Sequence, residues 1–111
     1  MGLSTHILDT ALGRPATGVS LTLARQNGDS WSDIGSGATD ADGRCKTLLG
    51  ETPLEAATYR IRFATEEYFA AQSLTGLYPY VDIVFTVANP AQHYHIPLLL
   101  TANGYSTYRG S

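Results

Sequence analysis

The chain predicts an all-β fold, an antiparallel eight-stranded β-sandwich with one short helix. Three observations carry that expectation. Several segments rich in aliphatic, β-branched and aromatic residues alternate with period two, most clearly Leu3–Asp9, residues 19–24, residues 58–64 and Val81–Val87, as half-buried strands do. Turn signals built on Gly, Pro, Asn and Asp recur about every eight to twelve residues, the spacing of sandwich hairpins. One segment has helical character, and it is short. A length of 111 residues fits one domain, 1–111, large enough to bury about two-thirds of the surface of its unfolded chain.

The elements follow in order. Leu3–Asp9 puts Leu3, Thr5 and Ile7 on one side and Ser4, His6 and Leu8 on the other, because successive strand side chains point to opposite faces. His6 therefore sits on the less apolar face. Asp9 to Pro15 reads as a loop, punctuated by Gly13 and Pro15, with an Asp able to bond nearby turn amides. Residues 19–24 show the cleanest alternation, with Val19, Leu21 and Leu23 inward. Asn27-Gly28-Asp29 is a hairpin turn, and residues 31–37 form the returning strand. Thr39-Asp-Ala-Asp-Gly43 is a second, acidic turn ending in a glycine free to take positive φ, and Arg44 opens a short strand over 44–49. Residues 58–64 set Tyr59, Ile61 and Phe63 against Thr58, Arg60 and Arg62.

The helix is predicted over 65–72, with Thr65 as its cap, Glu66 and Glu67 where the dipole favours anions, and Ala70 and Ala71 to propagate it. At about two turns it needs packing to persist. Val81–Val87 follows the Leu77-Tyr78-Pro79 loop, and Asn89-Pro90 turns the chain into a last hairpin. There Tyr94, Ile96, Leu98 and Leu100 make an apolar face, each worth roughly 1.5–3 kcal/mol if fully buried. His93, His95, Pro97 and Leu99 occupy the other face. Pro97 cannot donate to a sheet ladder, which predicts an irregularity there or an amide position facing no partner.

Composition narrows the function. No stretch approaches the ~18 apolar residues of a membrane span, and the N-terminus carries neither a basic segment nor a long hydrophobic run. Position six is His6, which fails the myristoylation pattern. A net charge of −3 with seven scattered Lys and Arg argues against nucleic acid, which needs a basic patch. Cys45 is the one cysteine, so no internal disulfide forms. A cytoplasmic, reducing home is expected, with a periplasmic one open where a leader has been trimmed.

Three clusters compete as sites. Asp29, Asp40 and Asp42 suggest calcium, but an EF-hand needs a longer series of oxygen ligands ending in an acid, and turn chemistry explains them. His93 and His95 share a strand face and with His6 suggest zinc, although structural zinc sites use Cys and His at loop spacings; His93 reads as a peripheral, strand-capping residue. The third set is dispersed: His6, Arg44, His95 and the terminal Tyr108-Arg-Gly-Ser111. Histidine titrates at about 6.5 and serves in both proton states, and an arginine beside it holds a planar, electron-rich substrate or a developing oxyanion. By composition alone such a set is common in any domain.

Longer patterns are more specific. His6-Ile-Leu-Asp9 with Gly13-Arg-Pro15-Ala16, and Tyr94-His-Ile-Pro97 with Gly104-Tyr-Ser106, resemble the two signatures of the transthyretin family. The resemblance continues through Thr39-Asp-Ala-Asp-Gly-Arg44, Tyr68-Phe69 and Tyr78-Pro79, and so covers nearly the whole chain. The ending Tyr108-Arg-Gly-Ser111, together with His6, Arg44 and His95, resembles the enzyme branch of that family rather than its thyroid-hormone carriers. Ala102-Asn103 departs from the family pattern in the turn before Gly104.

The resemblance implies hydrolysis of 5-hydroxyisourate, the product of urate oxidation, to 2-oxo-4-hydroxy-4-carboxy-5-ureidoimidazoline, without metal or organic cofactor. It also implies a homotetramer, a dimer of sandwich dimers with sites in the channel where the dimers meet. On that footing His6 is the candidate base and His95 shares the proton work. Arg44 binds a substrate oxygen, Tyr108 and Ser111 close the site, and Ser106 lines it. Ser111 as an acylated nucleophile is the weaker option, since nothing places a base beside it. Two other readings stay open: a carrier of a small aromatic ligand in the same channel, and a plain interaction module joined through its Tyr-rich C-terminus.

Overall fold

The computed structural model describes residues 2–110. Its elements are β1 (Leu3–Asp9), β2 (Arg14–Pro15), β3 (Ser20–Asn27), β4 (Ser30–Ala38), β5 (Arg44–Cys45), β6 (Ala57–Phe63), α1 (Thr65–Ala70), β7 (Val81–Val87), β8 (Tyr94–Thr101) and β9 (Gly104–Thr107). One sheet runs β2-β1-β8-β9, with β5 also on β1; the other runs β4-β3-β6-β7. The inward residues of both enclose one apolar core. Leu3 and Ile7 of β1, with Ile96, Leu98 and Leu100 of β8, face Leu21 and Leu23 of β3 and Tyr59, Ile61 and Phe63 of β6. The period-two alternation thus decides which side of each strand becomes interior.

The sandwich agrees with the sequence expectation, and four details differ. First, β1 and β8 pair in parallel over seven rungs, Leu3↔Tyr94 to Asp9↔Leu100, where an antiparallel pattern was expected. The chain visits the entire second sheet between them, so no hairpin dictates direction; parallel pairing needs only such a long crossover. Second, nine strands form among the described residues, the additional one being the two-residue β2 inside the expected loop. Third, the strand expected over 44–49 stops at Cys45, because Leu48 drops into the core and the Gly50 amide donates to the Thr47 carbonyl, closing a turn. Fourth, α1 ends at Ala70 and Thr65 does not cap it. Thr65 is buried, and its hydroxyl donates to the Tyr78 carbonyl instead. Phe69 anchors the helix by burial.

Pro97 behaves as its chemistry requires. β8 and β9 pair from Thr101↔Gly104 to Leu98↔Thr107, then skip two rungs and touch once more at His95↔Gly110 in the same register. The gap falls opposite Pro97, whose ring nitrogen has no proton to offer that edge. Its carbonyl remains satisfied by the Thr107 hydroxyl at 2.7 Å.

Candidate active site

The outer face of the β1–β8 sheet collects the polar residues that alternation leaves over. His6 lies directly opposite Arg44 in the antiparallel β1–β5 pair, a position where side chains on one face meet. Ser4, two residues back on the same face, lies opposite His95 in the parallel pair. His6 and His95 are therefore diagonal neighbours on adjacent strands, about 7–8 Å apart at the backbone. The three residues singled out from dispersed parts of the sequence come together on one patch.

Arg44 reaches this patch through the acidic turn. The Asp40 carboxylate accepts the backbone amides of Asp42 and Arg44 at 2.9 and 3.0 Å. The Arg44 amide bond, then that of Asp42 and the nearby Lys46 and Arg44 charges, hold this carboxyl below its usual range, against a smaller desolvation effect. Asp40 and Asp42 are thus turn residues, as turn chemistry predicted. Gly43 follows at φ +74°, and its carbonyl accepts the Ile7 amide at 2.7 Å. A Cβ here would stand 2.5 Å from the Ile7 carbonyl oxygen, so only glycine lets the chain come this close to β1 and deliver Arg44 beside His6.

His95 is held from two sides. Its Nδ1 lies 2.8 Å from Ser4 Oγ, and the same hydroxyl lies 2.9 Å from His93 Nε2. Gly110 covers the ring: its amide donates to the His95 carbonyl at 2.8 Å, and a Cβ on it would stand 2.4 Å from His95 Cδ2. Burial, then the charges of Arg44, His6 and His93, lower the His95 pKa below that of a free imidazole, with Ser4 pulling weakly the other way. A histidine kept neutral near pH 7 with Nε2 unengaged among the described residues has the electronic state of a general base.

The remaining candidates are more distant. Ser106 is exposed at the β9 edge, opposite Leu99. Tyr108 is 58% exposed and borders an apolar cleft with Ile83, Phe85, Tyr94 and Ile96. Ser111 lies outside the described residues. Arg109 stacks over the Tyr94 ring at 4.3 Å and donates to the Gln92 side chain, which ties the terminal segment to β8. The suggested zinc pair, His93 and His95, converges on a serine hydroxyl, which consumes one nitrogen of each. Sequence reasoning passed over Ser4 and took Gly110 only as a member of the terminal tetrapeptide. Ser4 was findable, since period two places it on the face of His6; the need for glycine at position 110 depends on a contact only the folded register creates. None of the clefts bordered by Lys46, Tyr68, Tyr108 or Tyr105 includes His6, Arg44 or His95: in one chain the patch is an open face.

Comparison with known proteins gives this geometry a context. A model of the HIUase/Transthyretin family matches residues 3–110. The 5-hydroxyisourate hydrolase of Caulobacter vibrioides is 45% identical over 114 residues, covering 99% of this chain and 98% of its own length. The solved 5-hydroxyisourate hydrolase of Klebsiella pneumoniae superposes with a TM-score of 0.87 at 34% identity, covering all of both chains. Sea bream transthyretin, solved in complex with thyroxine, reaches 0.91, also at 34% identity, covering 99% of this chain and 95% of its own. A hydrolase and a thyroxine complex thus share one backbone, so the backbone alone does not tell a hydrolase from a thyroxine-binding protein. The match along nearly the whole chain does settle the lineage: this chain belongs to the HIUase/transthyretin family.

Proposed function

We propose that the protein hydrolyses 5-hydroxyisourate to 2-oxo-4-hydroxy-4-carboxy-5-ureidoimidazoline in urate breakdown. The observation that carries this reading is the adjacency of His6, Arg44 and His95 on one sheet face, joined to relatives named for that activity at over 40% identity. The reaction adds water to a ring carbonyl and breaks the adjacent C–N bond. Arg44 offers planar, permanently charged donors to the oxygen that becomes anionic. His95, kept neutral by its surroundings, takes the proton from water and returns it to the departing ring nitrogen. His6 stands between Arg44 and the β8 strand, where it orients the substrate and shares the proton traffic. The base role expected for His6 therefore moves to His95. The chemistry runs on side chains and calls on no metal or organic cofactor.

The open face favours completion by a second copy. In this reading four chains assemble as a dimer of dimers whose outer faces meet around the sites, with Ser106 and Tyr108 closing the rim. The lone, buried Cys45 suits a reducing, cytoplasmic setting. No helix among the described residues is long and apolar enough to cross a membrane.

The test uses purified His6→Ala, Arg44→Ala and His95→Ala, following loss of 5-hydroxyisourate absorbance as urate oxidase generates it. Removing one such donor or base costs on the order of 100- to 1000-fold in turnover. Wild-type rates in all three sink the assignment. A wild-type protein that binds the compound and releases it unchanged supports instead the carrier reading favoured by the sea bream likeness.

A further inference from the structure

Ser4 is used by neither the family resemblance nor the chemistry above, yet its hydroxyl contacts two histidines at once, His95 Nδ1 at 2.8 Å and His93 Nε2 at 2.9 Å. A hydroxyl has one proton to give and lone pairs to accept. One arrangement leaves His95 Nε2 free to act: His95 Nδ1–H donates to Ser4 Oγ, and Ser4 Oγ–H donates to His93 Nε2. The two ends differ in surroundings. His95 is partly buried, with Arg44 facing it from β5, His6 from β1 and His93 from just before β8, all unfavourable to a further positive charge; Gly110 beside it brings none. His93 is exposed to water. A base that must become an imidazolium beside an arginine gains by passing that charge outward.

We infer that Ser4 and His93 form a proton relay behind His95, moving the positive charge of catalysis out of the site and back within each turnover. The inference rests on the hydrolase reading. As water attacks the ring carbonyl, a new C–O bond forms and the carbonyl oxygen becomes an alkoxide. The water proton goes to His95 Nε2, the Nδ1 proton goes to Ser4 Oγ, and the Ser4 proton goes to His93 Nε2. The imidazolium is then His93, in solvent. When the intermediate collapses, the C–N bond breaks and the transfers reverse: His93 Nε2–H returns a proton to Ser4, Ser4 returns one to His95 Nδ1, and His95 Nε2–H protonates the departing nitrogen. All three groups end in their starting states, and no proton is gained or lost. His93, peripheral by sequence, becomes the outer terminus of the site.

The experiment compares wild type, Ser4→Ala, Ser4→Thr and His93→Gln by steady-state kinetics in mixtures of light and heavy water. The relay predicts roughly 10- to 100-fold lower kcat in Ser4→Ala and His93→Gln with KM nearly unchanged. It also predicts a curved dependence of kcat on deuterium fraction in wild type that becomes linear in both variants, because fewer protons then move together. Ser4→Thr, which keeps the hydroxyl, restores rate and curvature. Wild-type kcat in Ser4→Ala or His93→Gln overturns the relay, as does a lowered kcat whose isotope dependence stays that of wild type, which marks Ser4 as a mere support. Nitrogen NMR of the resting protein separates this from the parent reading. Ser4→Ala shifts the Nδ1 signal of His95 and the Nε2 signal of His93 together if the bridge exists, whether or not the wild type hydrolyses 5-hydroxyisourate. Unmoved signals overturn the relay, and an inactive wild type overturns the hydrolase reading.

Discussion

Gly110→Ala tests how tightly the terminal segment is fitted to the site. The added Cβ would stand 2.4 Å from His95 Cδ2, 3.1 Å from Cγ and 3.3 Å from Cβ, the first about 1 Å inside an ordinary van der Waals contact. What it meets is the flank of a rigid ring, not the end of a flexible chain. Two relaxations exist. The terminal segment slides outward and gives up the Gly110 amide bond to the His95 carbonyl at 2.8 Å, or the imidazole turns and gives up its 2.8 Å contact with Ser4. Overpacking or a lost hydrogen bond of this kind costs about 1–3 kcal/mol, a fall of several degrees in Tm at this chain length. A displacement of about 1 Å in a positioned catalytic group costs on the order of 100-fold in rate. The expected outcome is kcat/KM for 5-hydroxyisourate lowered about 100-fold, with a modest loss in thermal stability by circular dichroism. Wild-type kcat/KM together with wild-type Tm would refute the argument, since it would mean that position 110 does not press on His95.

Four other outcomes follow from the same structure. Because surroundings lower the His95 pKa, the neutral base persists into mild acid, and the acid limb of kcat/KM falls below the ~6.5 of a free histidine; a limb at or above 6.5 contradicts it. The same shift affects folding: between the lowered native value and ~6.5 the unfolded chain binds more protons, so stability is lost as pH falls through that window, and urea midpoints at pH 7.5 and 5.5 separate further in wild type than in His95→Gln. Arg44→Lys keeps the charge but loses the planar fork, and turnover drops at least tenfold while Tm stays put. Tyr68→Phe removes the hydroxyl that donates to Asp9 Oδ2 at 2.7 Å; Asp9 is 3% exposed, its other oxygen accepting the Leu12 amide, so chemical denaturation shows a loss of about 1–3 kcal/mol, and an unchanged midpoint rules that out.

What could be read from the sequence divides along physical lines. The long strands were legible because burial of alternate residues is a local signal: Leu3–Asp9 and Val81–Val87 appear with the bounds and faces that period two assigns. The proline interruption was legible too, because a missing donor is a property of one residue. The parallel β1–β8 pairing was not, since strand direction depends on which sheet the intervening chain visits. Thr65 looked like a cap because threonine caps helices in general, but it is the first residue of the helix itself, Ala64 holds the cap position, and the buried Thr65 hydroxyl donates to the Tyr78 carbonyl. His6, Arg44 and His95 were singled out by residue chemistry and made specific by a family likeness, and only the register explains why three such distant positions meet.

The candidate site's place on the outer face of the sheet leaves one backbone free to carry different side-chain chemistry. Along β1 the burial alternates strictly: Leu3, Thr5, Ile7 and Asp9 are buried, while Ser4, His6 and Leu8 are only partly so. The inner set holds the sandwich together, with the Thr5 hydroxyl donating to the Ile96 carbonyl at 2.5 Å and locking β1 to β8. The outer set contributes little to that core. Replacing His6, Arg44 or His95 therefore alters the outer face without opening a cavity in the core, whereas replacing Ile7 or Leu98, both fully buried, leaves a void worth about 2–5 kcal/mol if truncated to alanine. Core and site are interleaved residue by residue along the same strands, yet energetically almost separate. Gly43 and Gly110 are the exceptions: both adjoin the outer patch, Gly43 fixed by its approach to the Ile7 backbone and Gly110 by its contact with the His95 ring, and at these two positions a change of chemistry and a change of structure cannot be made independently.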